Sequence, residues 1–585
     1  MKSPARRFLP ILLSLALVPA AHGVTVSPVL QSREGMVTAA NPLAAEAGAE
    51  ILEQGGNAVD AAIAVSLALG VVEPYASGLG GEGYLVAVMA DGRETAIDFR
   101  STAPALATYE NLAKAGKLRD LRYTPKAFCV AGVPAGIGKA LTMGSLPLEK
   151  LAAPAIRLAE DGFVVNETFS AVTMDRWEVL YENAPEFLND GMPWSAGETF
   201  RNPALAHTLK RMAAGGVRVF YEGELANSLD RFMRQNGGWT RKSDLEAYRA
   251  LVREPVKGHY RGYELSVPGS PVGGPRILAT LNILEHFNLG LMGWDDPLAI
   301  HLMQEAMILT ALDQRRWMGD PETNQYIPET GFISKQYARE RTLLINLARA
   351  SDPSLWHSHR VGDPGPYQDA ETEYVDVVLE ARRRASVEGE LTDVPPSTTH
   401  FSVVDKKGNA VAWTQTVSSF FGTGHQVDGY FLNNELGNFK AQRVEGSPIN
   451  LEPGRRPRTT IAPMIVKKDG QVRWVLGSPG AGRIGSTLVE ILVNLIDFEM
   501  NLEAAIRTPK FTGYDAYREI QLEDEFPQKT VELLETMGHV VTEYDHPDLY
   551  FGGPNAISIA ADGLLTGVGS IRRNGGAAAP GDAGE

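Results

Sequence analysis

Apolar positions along this chain fall into two kinds of run. The first has helical length and ends in punctuation: Ala44 to Gln54 stops at Gly55-Gly56-Asn57, and Ala58 to Val72 stops at Glu73-Pro74. The second is short and comes in pairs joined across turn residues. Tyr84 to Met89 and Glu94 to Phe99 flank Asp91-Gly92, and Phe401 to Asp405 and Ala410 to Val417 flank Lys407-Gly408-Asn409. Pro463 to Val466 and Val472 to Leu476 flank Asp469-Gly470, and Ile557 to Ala560 and Leu564 to Val568 flank Asp562-Gly563. The stretch between these groups, residues 137 to 385, is predicted to be largely helical, with Pro297 to Met318 and Tyr374 to Ala385 as its plainest helices. Another helical run spans Arg483 to Met500. Hairpins on both sides of a helical middle predict an α+β fold of antiparallel sheets with helices packed on them. The Gly/Ala-rich end, residues 574 to 585, is expected to be disordered.

Composition narrows the class. Among 585 residues, 55 basic side chains face 71 acidic ones, a net charge of −16 that argues against a nucleic-acid partner. A hydrophobic content of 44% predicts a large buried core. Lys2, Arg6 and Arg7 precede the apolar run Phe8 to Val18 and the small-residue site Ala21-His22-Gly23, so residues 1–23 read as a signal peptide and the protein as exported, periplasmic or extracellular. No later segment is predicted to span a bilayer, since the best candidate, Ala58 to Val72, carries Asp60 and Ser66. The single cysteine, Cys129, sits in an apolar stretch and reads as a buried structural thiol.

Several familiar chemistries are absent or misplaced. Gly78-Leu-Gly-Gly-Glu-Gly83 has dinucleotide-loop spacing, but it follows a helical run and precedes a strand, so a tight turn of residues lacking Cβ is expected instead. The chain has no G-x-S-x-G, no H-E-x-x-H and no Walker loop. No His/Cys/carboxylate cluster stands at ligand spacing, so neither a metal nor an organic cofactor is expected. The loop ending Pro395-Pro396-Ser397 runs into a strand headed by Thr398-Thr399, which alone says only that a loop enters a strand.

The wider chain resembles the gamma-glutamyltransferase family. The matching stretches are Asn41 to Asp60, Ser77 to Gly83, Asp98-Phe-Arg100, Thr398 to Asp405, Thr414-Gln-Thr416, Phe421-Gly422, Asn433-Asn-Glu435 and Gly477 to Ile484. The resemblance implies an N-terminal-nucleophile (Ntn) hydrolase: an αββα sandwich forming one intertwined unit. It implies self-cleavage between Ser397 and Thr398 into a large fragment, residues 24–397, and a small one, residues 398–585, which stay associated. Thr398 is then the nucleophile, and its freed α-amine, with a reference pKa of about 7.7–8.0, can act as base near neutral pH. His400 is not needed for that role and reads as structural. By the same resemblance Thr416 orients the Thr398 hydroxyl, and the backbone N–H groups of Gly480 and Ala481, leading into a helix, stabilise the oxyanion. The family usually has a second glycine where Ala481 stands.

Substrate-binding positions depart more from the family. Arg100 matches the arginine that pairs with the donor's α-carboxylate, and Glu435 suits an α-ammonium. Asn438 replaces an aspartate, Ser418 replaces Asn or Glu, and Thr459-Thr460 replace a Ser-Ser pair; the segment Lys440 to Arg456 looks short for a lid. The resemblance implies a γ-glutamyl amidohydrolase or transferase acting on glutathione-like amides, with water or an amino acid as acceptor. A glutaryl-type acylase is the alternative, because its substrate has a carboxylate for Arg100 and no ammonium to miss the aspartate. A non-catalytic binding homologue is a third reading, opposed by the survival of Thr398, Thr416 and Gly480.

Overall fold

The computed structural model describes residues 24–324, 326–352, 361–368, 397–513 and 519–581. Fifteen strands build two large sheets. From the first half come β1 (Thr25–Ser27), β2 (Val29–Ser32), β3 (Gly35–Ala39), β4 (Glu82–Val88), β5 (Glu94–Phe99), β6 (Leu251–Arg253), β7 (Val256–Tyr260) and β8 (Tyr263–Val267). The second half supplies β9 (Thr399–Asp405), β10 (Ala410–Thr416), β11 (Met464–Lys468), β12 (Gln471–Leu476), β13 (Ala556–Ile559), β14 (Leu565–Val568) and β15 (Gly576–Ala579). One sheet runs β1-β15-β3-β9-β10-β4-β5-β6 and the other β2-β14-β13-β12-β11-β8-β7. Strand pairings within both are antiparallel.

Alternation along these strands sorts side chains into layers. Met36, Val86, Val88, Val404, Ala410 and Ala412 of the first sheet meet Ile465, Val475, Ile557 and Leu565 of the second. The opposite face of the first sheet, including Leu85, Phe99, Val403 and Trp413, packs under helices α1 (Pro42–Glu53) and α2 (Ala58–Val72). The outer face of the second, including Leu265, Met464, Val466 and Leu476, packs under α3 (Gly274–Leu284), α4 (Pro297–Trp317) and α5 (Ile484–Ile496). The layers are therefore helix, sheet, sheet, helix.

Local chemistry sets the ends of the first helices. Asn41 caps α1 through a bond from the Leu43 N–H, with Pro42 at the first helical position. Asn57 and Asp60 form a reciprocal capping box on α2, whose every residue is buried, as expected of a helix apolar on all sides. Among the described residues no helix is long and apolar enough to cross a membrane.

Two expectations need correction. The chain end is not disordered through residue 581: Gly576–Ala579 is a buried strand between β1 and β3. Its small side chains are a packing requirement, since a Cβ on Gly576 would lie 2.9 Å from the Pro42 Cα. The middle of the chain is also less helical than expected, because β7 and β8 form a hairpin across Arg261 and Gly262, both at positive φ (49° and 83°). Arg-Gly meets the backbone demand of that turn without the usual Asn or Asp. Tyr374 to Ala385 and the approach to Pro396 lie outside the described residues.

Candidate active site

Thr398 stands just before β9, 4% exposed, and its Oγ donates to the Thr416 Oγ at 3.0 Å. The sheet makes this meeting inevitable: Thr399 pairs with Gln415, so the next residue outward faces the end of β10. The Thr416 hydroxyl also accepts the Ser418 N–H at 2.8 Å, with Ser418 turned to a φ of 80°. Thr398 has a φ of 99°, a conformation costly for a β-branched residue, on the order of 1–3 kcal/mol. Ser397 before it is fully buried and its hydroxyl donates to the Tyr75 and Ala76 carbonyls, while Arg573 Nη1 donates to the Thr398 carbonyl. The chain is thus held on both sides of the Ser397–Thr398 junction, with Thr398 itself at positive φ.

The glycine-rich turn preceding β4 lies against the same strand ends. A Cβ on Gly80 would lie 2.0 Å from the Phe431 carbonyl oxygen, and one on Gly81 2.4 Å from that of Thr416. The turn therefore needs glycine for close backbone approach, and a helix precedes it and a strand follows it.

Across from this turn, the loop after β12 comes within reach of β9. Gly477 passes over His400, where a Cβ would be 2.4 Å from the ring, and Gly480 approaches Gly552, whose neighbour Gly553 packs on Arg573. Gly480 and Ala481 both adopt positive φ, 136° and 51°, immediately before α5. The left-handed conformation of Ala481 explains why glycine suits that position. His400 is buried between the Thr414 and Ser402 hydroxyls, and burial holds its pKa down to about 3, so the ring stays neutral and structural.

Residues 457–460 link the loop before α5 to a buried ionic cluster. The Thr460 hydroxyl donates to the Ala481 carbonyl at 2.7 Å, and Thr459 N–H donates to the Pro271 carbonyl. Two residues earlier, the Pro457 and Arg458 carbonyls accept from Arg100 Nε and Nη2. Arg100 is completely buried and also pairs with Glu82 and with Glu435, the latter at 2.7 Å. Asn438 Nδ2 donates to the same Glu435 oxygen. The guanidinium expected to receive a substrate carboxylate is thus already engaged by two carboxylates and two carbonyls of the protein itself. Cys129 lies behind this cluster, fully buried, with its thiol pKa raised by burial and then by the Glu435 charge.

Three groups were not foreseen from the sequence: Glu73, Arg573 and Glu82. Glu82 was visible as a charge heading a buried strand, which demands a counter-ion. Glu73 follows α2 and is 1% exposed; burial raises its carboxyl to about 7, opposed by the Thr399 hydroxyl and the Arg573 guanidinium. Burial in turn lowers Arg573 to about 10.

The raised Glu73 pKa has a definite sign in stability. Between its ordinary 4.5 and about 7 the folded chain keeps a proton that the unfolded chain has released, so stability falls as pH rises through that window and levels off above it. The effect is bounded at about 3 kcal/mol. Urea unfolding at pH 5 and pH 7.5 is expected to show a smaller loss of stability with pH for Glu73→Gln than for the parent. Equal losses would mean that Glu73 does not titrate in this window.

Residues 44–580 match the gamma-glutamyltranspeptidase family. The chain belongs to that family. Within the gamma-glutamyltranspeptidase family it is 34% identical over 575 residues to the glutathione hydrolase proenzyme of Escherichia coli strain K12, spanning 95% of this chain and 93% of that one. It is 36% identical over 564 residues to the acylase ACY 1 proenzyme of Pseudomonas sp. strain V22, spanning 94% of each. The crystal structure of cephalosporin acylase from Bacillus halodurans superposes with a TM-score of 0.82 at 27% identity, over 97% of this chain and 99% of that one. The four layers are therefore the Ntn-hydrolase fold, and the chain is a gamma-glutamyltransferase-like enzyme of γ-glutamyl or other acyl amides.

Proposed function

We propose that this protein is an exported, self-cleaving amidohydrolase and acyltransferase with Thr398 as its nucleophile. The observation that carries the reading is the buried Thr398–Thr416 hydroxyl pair at a residue whose φ is 99°. In maturation the Thr398 Oγ attacks the Ser397 carbonyl carbon, the C–N bond breaks, and the nitrogen leaves as an amine. Water then hydrolyses the resulting ester, giving a Ser397 carboxylate and a free Thr398. The cut removes the carbonyl that defines φ at Thr398, so the backbone strain favours cleavage.

Catalysis repeats the same chemistry on a substrate. The Thr398 amine takes the Oγ proton, Oγ attacks the acyl amide carbon, and the amine product leaves with that proton. Water or a second amine releases the acyl group. Thr416 orients Oγ, and the Gly480 and Ala481 N–H groups receive the oxyanion charge. Arg100, Ser418, Glu435, Asn438, Thr459 and Thr460 form the acyl side of the site. An acylase acting on non-glutamyl amides is the second reading, favoured by Asn438 in place of a carboxylate and by the 36% identity to a proenzyme named as an acylase. The leader, residues 1–23, directs export to the periplasm or medium.

The test is to purify the exported chain, run it on a denaturing gel with intact-mass analysis, and assay release of aniline from acyl anilides. Two fragments with the junction before Thr398, together with anilide turnover, are expected. A single uncut, inactive chain would favour a binding role.

A further inference from the structure

Arg100 has five N–H donors and no contact with solvent. Nε donates to the Pro457 carbonyl, Nη2 to the Arg458 carbonyl and to Glu435, and Nη1 pairs with Glu82. Glu82 is itself fixed from the other side, its second oxygen accepting both the N–H and the hydroxyl of Ser101. Its position is tied to the chemistry, because Glu82 is the cross-strand partner of Thr416, whose hydroxyl holds that of Thr398. The cluster of Glu82, Arg100 and Glu435 carries two negative charges and one positive. An acyl donor bringing a carboxylate to this end would meet a net negative charge and a guanidinium already engaged by two carboxylates and two backbone carbonyls.

On the reading of Thr398 as the nucleophile, we propose that Glu82 is a specificity-determining residue that closes Arg100 to the donor's carboxylate. The enzyme's acyl donors are amides whose acyl chain ends in an amino group, not a carboxylate. Glu435 and Glu82 supply the negative environment that favours such a cation. Asn438 belongs to the same arrangement: its amide binds the Glu435 oxygen that Arg100 also holds and adds no third carboxylate beside it.

The experiment compares four anilides, γ-glutamyl, glutaryl, 4-aminobutyryl and butyryl, on the self-cut parent and on Glu82→Gln and Glu82→Gly. Glutamine removes the charge and keeps the shape, whereas glycine also clears the space before Arg100. The parent is expected to turn over the 4-aminobutyryl compound with at least tenfold higher kcat/KM than the γ-glutamyl or glutaryl ones. Both variants should shift that ratio at least tenfold towards the carboxylate-bearing donors while still cutting before Thr398, a change that a purely structural role would not produce. A parent that cuts itself but prefers a carboxylate donor, with the ratio unmoved in both variants, overturns the proposal. A parent that neither cuts nor turns over any anilide overturns the amidohydrolase reading instead. Calorimetry with glutarate and 4-aminobutyrate then decides the Glu82 assignment without chemistry, and tighter glutarate binding by the parent overturns it.

Discussion

Thr398→Ala is expected to yield a folded, uncut chain with anilide hydrolysis at least about 1000-fold below the parent, read by denaturing gel, intact mass and initial rates. The substitution removes the Oγ that would attack Ser397 and later the substrate, so maturation and turnover fail together. Its cost to folding is small, because the hydroxyl makes one bond to Thr416, worth about 1 kcal/mol. Thr398→Ser keeps the oxygen and is expected to cut. If Thr398→Ala still produced two fragments at the same junction, the nucleophile would lie elsewhere.

Gly81→Ala is expected to act as strongly from outside the chemistry. The added methyl would stand 2.4 Å from the Thr416 carbonyl oxygen and 3.1 Å from that of Gly78, and neither is a movable side-chain end. Relief requires β10 to retreat at Thr416, the residue that holds the Thr398 hydroxyl. Overpacking of this kind costs about 1–3 kcal/mol, and a shift of about 1 Å at a reacting group slows chemistry about a hundredfold. Thermal unfolding and the rate of fragment appearance separate the two effects. Unchanged values of both would show that the turn yields without moving Thr416.

The hairpins were legible because their turns announce themselves: Gly92, Gly408, Gly470 and Gly563 all have positive φ of 75–87°. Arg261-Gly262 makes the same kind of turn with a dipeptide that carries no such reputation, so β7 and β8 were absorbed into a helical middle. The final strand was hidden by its own composition, since Gly576 to Ala579 has the small residues of an unstructured tail but uses them to lie beneath α1. At the site, the resemblance pointed to Thr398 and Thr416, and the strand register explains their contact. The counter-ions of Arg100 were not legible, because Glu435 lies 335 residues away in sequence and only the fold brings it near. Glu73 and Arg573 meet for the same reason.

The order of strands decides what a cut at Thr398 can do to the molecule. Along the first sheet β1, β3 and β4 precede the cut, and β15, β9 and β10, which lie among them, follow it. In the second sheet a block of four strands from after the cut sits between β2 and β8. The two products of such a cut would hence share both sheets of the core and have no surface along which to part. Dilution will not release one from the other, and heat will melt them as one cooperative body. A cut before Thr398 would convert a peptide nitrogen into a base while the assembly around it kept its shape, so the uncut chain would already be the scaffold of the enzyme, lacking one free amine.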